Sequence, residues 1–427
     1  MGIEPTISAF HKRGVTLVGG QRGTFSPQGQ IVVRFPNYGV PYIPLYSVPP
    51  NRKAEFEDFS NICVGFTTLT SSTTWLLPLK LFDIAREQGR PLYTSAPMVR
   101  YSKLAFRQTV HKYGVDLCWT PMILAKEFNR SVFARDSGTQ SLPDPFPFPL
   151  TGSNSSQDFT LAANPTLVPT IVQFGANSPL EFARATSTMA PFVSGVDLNC
   201  GCPQSWACAE CLGAALMNKR ELVADIVKEA KATLTRDGYE GRRTVSVKIR
   251  IHKDLRQTMD FIKTVQDAGV DFLTIHGRTK AQRSSEPVNT AALSILRSHV
   301  TVPLIANGDV STLAIASLIA AETGVDGVMS ARDLLANPGL FKGYDTCPWK
   351  VVEEFINRVV RAPIPFKLVV HHLSQMTGSG GGGKPALLGK EERGELMECR
   401  DLIEVIDFLD RIKGITRLSM EHIDDKI

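Results

Sequence analysis

A chain of 427 residues with 43% apolar and 21% charged residues has the composition of a globular protein, which excludes fibrous and disordered classes. No window holds the roughly 20 consecutive apolar residues of a membrane-spanning helix, and the start lacks a basic-then-apolar signal pattern, so no membrane partner is expected. A net charge of +5 excludes a uniformly basic chain, so any polyanionic partner must meet a local basic surface.

Residues 1 to 50 hold one acid, Glu4, against Lys12, Arg13, Arg22 and Arg34, the charge bias of a transit peptide. Their proline and glycine content opposes the amphipathic helix such a peptide needs. A cytoplasmic or nuclear location is therefore expected, with a mitochondrial one as the alternative. Residues 1–90 are read as an N-terminal extension. From residue 92, short apolar runs alternate with amphipathic stretches, the pattern of a parallel sheet with crossover helices. The expected strands are LYTSA (92–96), DLCWT (116–120), TIVQF (170–174), GVDLN (195–199), TVSVKI (244–249), DFLTI (271–275), VPLIA (302–306) and GVDGVM (324–329). Eight such units specify an α/β fold of the TIM (β/α)8 barrel type over residues 91–340.

Segments such as ELVADIVKEAKATL (221–234) carry apolar residues at helical spacing, and Gly269 stops a helix before the sixth strand. Residues 137–169, rich in Pro, Ser and Gly, read as a surface insertion. Beyond residue 340 the strands cease, and WKVVEEFINRVV and RDLIEVIDFLDRI predict a C-terminal helical domain over 341–427. Its GSGGGGK run (378–384) superficially matches a phosphate-binding loop. Pro385 follows Lys384 and no strand precedes it, so a flexible linker is expected.

Chemistry in such a barrel collects at the C-terminal strand ends. These carry Ala96-Pro97-Met98, Gln173, Asn199 to Pro203, Lys248-Ile249-Arg250, His276-Gly277-Arg278, Asn307-Gly308-Asp309 and Ser330-Ala331-Arg332. Small Gly308 and Ala331 let backbone N–H groups approach a phosphate, and Arg332 adds charge. Lys248, His276 and Gln173 supply donors of the kind a flavin ring edge and ribityl chain require. Of eight cysteines, Cys200, Cys202, Cys208 and Cys211 crowd together, which is not the pattern of a secreted disulfide framework. Their spacing fits no common zinc knuckle, and no metal is expected. Cys208 and Cys211 read as small buried hydrophobes. Cys202, held between Gly201 and Pro203, reads as a general acid active in its thiol form, with Cys200 pointing elsewhere.

Residues 97–135 carry seven Lys or Arg (Arg100, Lys103, Arg107, Lys112, Lys126, Arg130, Arg135) against Asp116 and Glu127, a density suited to phosphate contacts. The chain is expected to be monomeric.

The stretches APMVRYSKLAFR (96–107), MILAKEFNRS (122–131), VDLNCGCPQSWA (196–207), KIR (248–250), TIHGRTKAQRS (274–284) and NGDV (307–310) resemble tRNA-dihydrouridine synthases in order and spacing. The likeness is strongest to the eukaryotic branch that reduces the adjacent D-loop uridines 20a and 20b. It implies FMN as cofactor, NADPH as electron donor and tRNA as partner. Reduced flavin would pass hydride to C6 of a uracil while Cys202 protonates C5. It further implies that Pro97, Met98, Val99, Gln173, Lys248, His276, Asn307, Gly308, Asp309, Ala331 and Arg332 hold FMN. Asn199, Arg250, Arg278 and Arg100 would meet the substrate. The alternatives are a flavin barrel acting on free pyrimidines or small enones, and an idle tRNA-binding barrel. The chain departs from the family at Cys211-Leu212-Gly213-Ala214, where a Gly-aromatic-Gly-Ala run is usual, and at Ala105, where Pro is frequent.

Overall fold

The computed structural model describes residues 77–131, 168–378 and 386–415 in full, with six further short strands described by their backbone. The chain divides into two compact units, Met1–Thr73 and Thr74–Ile427. In the first, strands Val15–Leu17, Gln21–Phe25 and Ile31–Val33 pair antiparallel in sequence order. The rest of the expected N-terminal extension up to residue 76, most of the expected insertion and the glycine-rich run after Gly378 lie outside the described residues. Within the insertion, Thr139–Ser141 pairs antiparallel with both Ala134–Arg135 and Thr160–Ala162.

All eight expected strands form: β1 Leu92–Ser95, β2 Leu117–Trp119, β3 Thr170–Gly175, β4 Gly195–Cys200, β5 Thr244–Arg250, β6 Phe272–His276, β7 Leu304–Asn307 and β8 Gly327–Ser330. Each pairs parallel with the next, and β8 pairs with β1, which closes the barrel. Every residue of β3 and β4 is buried, as a sheet covered on both faces requires. Strands β7 and β8 start two or more residues later than expected, at Leu304 and Gly327. Pro303 has no N–H for the ladder, so β7 begins at Leu304. Gly324, at φ 69°, caps the preceding helix and delays β8 to Gly327. The sequence pattern also concealed a short strand, Ile123–Leu124, which pairs with the end of β3.

Helix α1 (Pro78–Glu87) turns Leu81, Phe82 and Ala85 into a buried cluster with Leu92, Leu117, Trp119, Ile171, Phe272, Ile305 and Met329. Phe82 meets Phe272 at 5.6 Å between ring centroids; Phe272 is the first residue of β6, so α1 plugs the N-terminal end of the barrel. The opposite end is left for chemistry. Crossover helices α2 (Leu104–Lys112), α3 (Pro179–Met189), α4 (Arg220–Arg236), α5 (Leu255–Asp267), α6 (Thr290–Arg297) and α7 (Leu313–Thr323) surround the sheet. Ser178, Asp254, Asn289 and Thr312 cap α3, α5, α6 and α7 by accepting backbone N–H bonds.

The C-terminal region is helical, with α8 (Trp349–Arg361), α9 (Phe366–Thr377), α10 (Lys390–Glu398) and α11 (Leu402–Lys413). It joins the barrel through α2, where Lys112 Nζ lies 2.6 Å from the buried Glu354 carboxylate, itself bonded to Arg358 at 2.7 Å. Buried His372 packs its ring against Tyr101, Phe106 and Phe355.

Candidate active site

Parallel register assembles the site from neighbouring strands. It sets Gln173 beside Asp197, Asp197 beside Ser246, Asn199 beside Lys248, Arg250 beside His276 and His276 beside Asn307. Side chains alternate along a strand, so Asp197 and Asn199 share one face of β4, as Ser246, Lys248 and Arg250 share one face of β5. A continuous set of hydrogen bonds results. Ser246 Oγ and Gln173 Nε2 each donate to the fully buried Asp197 carboxylate at 2.7 Å. Asn199 Nδ2 donates to Gln173 Oε1 at 2.7 Å, and Asn199 Oδ1 accepts from the N–H groups of Gly201 (3.1 Å) and Cys202 (2.9 Å). Burial raises the Asp197 pKa to about 6, against the lowering effect of these donors and of Lys248, so the carboxylate is ionised at neutral pH.

The two cysteines of the NCGCP stretch part company. Cys200 is fully buried among core side chains, and desolvation, then the nearby Asp197 charge, pushes its pKa well above the ordinary value. Cys202 is half-buried, and its pKa is raised chiefly by burial and also by neighbouring Cys208, opposed by the Gln204 backbone hydrogen bond and by Arg250 and Lys248. Its loop is braced on both sides. Arg250 Nε donates to Gly201 O at 2.8 Å and its Nη1 to Thr279 O at 3.0 Å, while Ala214 N donates to Cys202 O at 2.9 Å. Gly213 packs so closely that a Cβ there would lie 2.6 Å from Cys202 O and 2.8 Å from Cys202 Cβ. Cys211 holds φ 56°, a left-handed conformation that ordinarily favours glycine. Cys208 and Cys211 are half-buried, not the core residues their type suggested.

Strands β5 to β8 contribute a cationic cluster. Lys248 Nζ donates to Asn307 Oδ1 at 2.8 Å, and Asn307 Nδ2 donates to Met329 O at 2.9 Å, which fixes both groups. Burial, then Arg250, lowers the Lys248 pKa to about 8. His276 is held neutral, its pKa lowered to about 2 by burial and then by Lys248, Arg250, Arg278 and Arg332. A guanidinium can only donate, so the 3.2 Å contact from Arg278 Nη1 makes His276 Nε2 an acceptor and places its proton on Nδ1. Arg278 is almost fully buried. It grips both oxygens of Asp309 at 2.6 and 2.8 Å and donates to Glu286 O at 2.6 Å, so it ties the loop after β6 to the turn after β7 from inside. Gly308 (φ 117°) and Asp309 (φ 54°) both take left-handed turns, and a Cβ on Gly308 would collide with Val288. Arg332, its side chain 59% exposed, opens the short helix Arg332–Ala336 that follows β8 and Ala331.

After β1, Pro97 and Met98 are half-buried, whereas Val99 and Arg100 are exposed on a turn pinned by Ser102, whose Oγ accepts from Met98 N at 3.0 Å and donates to Ala96 O at 2.8 Å. The basic stretch beyond it is not one surface. Lys103 and Arg107 are buried, with Arg107 Nη1 donating to Ser102 O at 2.7 Å, and Lys112 is paired with Glu354; Arg100, Lys126 and Arg130 face outward. Sequence reasoning missed Asp197 and Ser246, and named Gly213 only within the run that departs from the family. The signal for Asp197 was its place two residues before Asn199 on one strand face, an acid within an apolar strand.

The sequence profile of the dihydrouridine synthase (Dus) family matches residues 94–387. A human protein named tRNA-dihydrouridine(20a/20b) synthase [NAD(P)+]-like is 40% identical over 299 residues, covering 70% of this chain and 84% of that protein. The Schizosaccharomyces pombe tRNA-dihydrouridine(20a/20b) synthase [NAD(P)+] is 40% identical over 301 residues, covering 70% and 83%. Its Saccharomyces cerevisiae counterpart of the same name is 36% identical over 330 residues, covering 76% and 81%. Among solved structures, an old yellow enzyme homologue from Zymomonas mobilis aligns at TM-score 0.36 and 12% identity, covering 58% of this chain and 86% of that one. Histamine dehydrogenase from Rhizobium sp. aligns at TM-score 0.41 and 10% identity, covering 64% and 49%. The profile spans well over half the chain, including every strand end described above, and the chain belongs to the dihydrouridine synthase family.

Proposed function

We propose that this protein reduces uridine to 5,6-dihydrouridine in the D-loop of tRNA at positions 20a and 20b, with Cys202 as the proton donor to C5. The observation that carries the reading is the state of Cys202: a half-buried thiol, kept protonated by burial, in a loop held by Asn199 and Arg250. The positions 20a and 20b rest on the relatives' names and on the length over which this chain matches them.

The strand-end donors fit FMN. Lys248, the Nδ1–H of neutral His276 and Arg332 present N–H groups suited to an anionic ring edge and a phosphate, and the nearby Asp309 carboxylate is already engaged by Arg278. When bound, FMN supplies the hydride that the uracil accepts at C6, and NADPH restores it. Cys202 gives its proton to C5, and the thiolate left behind is reprotonated from solvent before the next turnover. The target base must leave its stack to reach the barrel mouth, at a cost of a few kcal/mol, least in a flexible loop. Arg100, Lys126 and Arg130 are exposed cations, among the described residues of this stretch, that suit contact with the tRNA backbone.

The test is NADPH oxidation by purified yellow protein. Stimulation by unmodified tRNA and not by free uracil, with new dihydrouridine mapped to 20a and 20b, is the expected result. Stimulation by free uracil alone, or protein that releases no flavin on denaturation, overturns it.

A further inference from the structure

The hydrogen bonds behind Cys202 have a direction, and each link forces the next. An ionised carboxylate only accepts, so Gln173 must present Nε2 to Asp197. Its Oε1 then faces Asn199, which must answer with Nδ2. Asn199 Oδ1 is left facing the N–H groups of Gly201 and Cys202, which only donate. An acceptor-only end and a donor-only end thus agree on one orientation for both amides between them. Reversing either amide would set donor against donor at the Cys202 backbone or acceptor against acceptor at Asp197, inside a buried network where an unmade bond is costly. Gln173 and Asp197 are fully buried, so water does not relieve the conflict.

We propose that Asp197 is a positioning residue for the reaction at Cys202: its carboxylate, anchored by Ser246 Oγ, sets the polarity of the Gln173–Asn199 relay and thereby the place of the Cys202 backbone. This rests on Cys202 being the proton donor. Asp197 itself does not touch the reacting atoms. Its contribution is transmitted over two amides to the two N–H groups that hold the loop.

The proposal distinguishes polarity from charge. In Asp197→Asn, the new carboxamide can accept from Gln173 Nε2 through its oxygen and donate to Ser246 Oγ, so the relay keeps its direction. In Asp197→Leu the acceptor is gone, and Gln173 loses the partner that fixes its orientation. The decisive measurement is the rate at which flavin-reduced enzyme is reoxidised by unmodified tRNA. For Asp197→Leu this should fall by about 100-fold, the scale of an ångström-sized misplacement of a reacting group, with little change in tRNA affinity. Asp197→Asn should stay within a few-fold of the wild type. An Asp197→Leu enzyme as fast as wild type, or an Asp197→Asn enzyme as slow as Asp197→Leu, overturns the proposal. If Asp197→Leu does not fold, Asp197→Ala removes the same acceptor without adding bulk, and the same comparison holds.

A second readout needs no turnover. Alkylation of Cys202 by iodoacetamide, followed by mass spectrometry of the modified peptide, should change its rate and pH profile in Asp197→Leu and match wild type in Asp197→Asn. Unchanged alkylation in Asp197→Leu also refutes the relay. Failure of the functional reading looks different: wild-type protein whose Cys202 alkylates normally but which tRNA does not reoxidise.

Discussion

Gly213→Ala is the sharpest local test of the proton-donor assignment. Gly213 sits at φ 59°, and its missing Cβ leaves room that the Cys202 backbone fills. An alanine there incurs about 1–2 kcal/mol for the left-handed conformation alone. Its Cβ would also stand 2.6 Å from Cys202 O and 2.8 Å from Cys202 Cβ, where ordinary contact begins near 3.4 Å. The Cys202 loop must therefore retreat by roughly 0.6 to 0.8 Å, and proton transfer is steep over such distances. The bond from Ala214 N to Cys202 O, 2.9 Å long, moves with it. The donors proposed for the flavin lie on other strands and should be spared.

The expected phenotype is accordingly split. Gly213→Ala protein should fold, lose about 1–2 kcal/mol of stability, and retain its flavin. Reoxidation of its reduced flavin by tRNA should slow by between about 10- and 100-fold. A variant that retains flavin and reacts at the wild-type rate would show that the exact place of Cys202 is immaterial and refute the assignment. Loss of flavin together with rate would show that the disturbance is not confined to the cysteine loop.

Four further outcomes follow from the geometry. Cys202→Ala should keep flavin and abolish dihydrouridine formation, whereas Cys200→Ala should cost on the order of 1 kcal/mol of stability and leave turnover intact; the reverse pattern in a tRNA mapping assay would exchange their roles. Asp309→Ala strips the buried Arg278 of its carboxylate and should lower stability by about 3 kcal/mol in urea unfolding, against no change if the pair is dispensable. Cys211→Gly relieves a left-handed non-glycine residue and should raise stability by up to about 1 kcal/mol, so a lower melting temperature would contradict the strain inferred from its φ of 56°. The Asp197 pKa is raised from 3.8 to about 6, so the stability it contributes is complete below pH 3.8 and is lost as pH rises to about 6; wild type should lose stability relative to Asp197→Asn across that window, and parallel stability curves would exclude the shift.

The barrel was legible because its signal is local and repeated. All eight strands were visible as apolar runs, and the misplaced starts of β7 and β8 trace to backbone chemistry at Pro303 and Gly324. The strand ends were legible for the same reason, since position along a barrel strand predicts which residues face the mouth. The partnerships between side chains were not. Arg278 and Asp309 were both expected as ligand contacts, and the structure adds that they pair with each other, a relation that joins the loop after β6 to the turn after β7. Lys103 and Arg107 counted as basic surface until the fold turned them inward. Charge counts along a segment carry no information about which side of a helix meets the core.

The contrast between Cys200 and Cys202 shows why the second, and not the first, suits proton transfer. Burial is the largest influence on each thiol and raises both pKa values. At Cys200 the charged neighbour is Asp197, which raises the pKa further, so release of a proton there would set two anions together. At Cys202 the neighbouring Cys208 thiol also raises it, but the cations Arg250 and Lys248 lower it. A neutral thiol gains little from those cations, but the charge that develops on sulfur as the proton leaves is stabilised by them. Their effect is thus felt most in the transition state, where it accelerates the step, and least in the resting enzyme. Two cysteines separated by a single glycine differ in reactivity through what stands beside them. That difference arises from strand register: β5 lays Lys248 beside Asn199 and carries Arg250 to the Gly201 carbonyl, next to the thiol that must part with its proton.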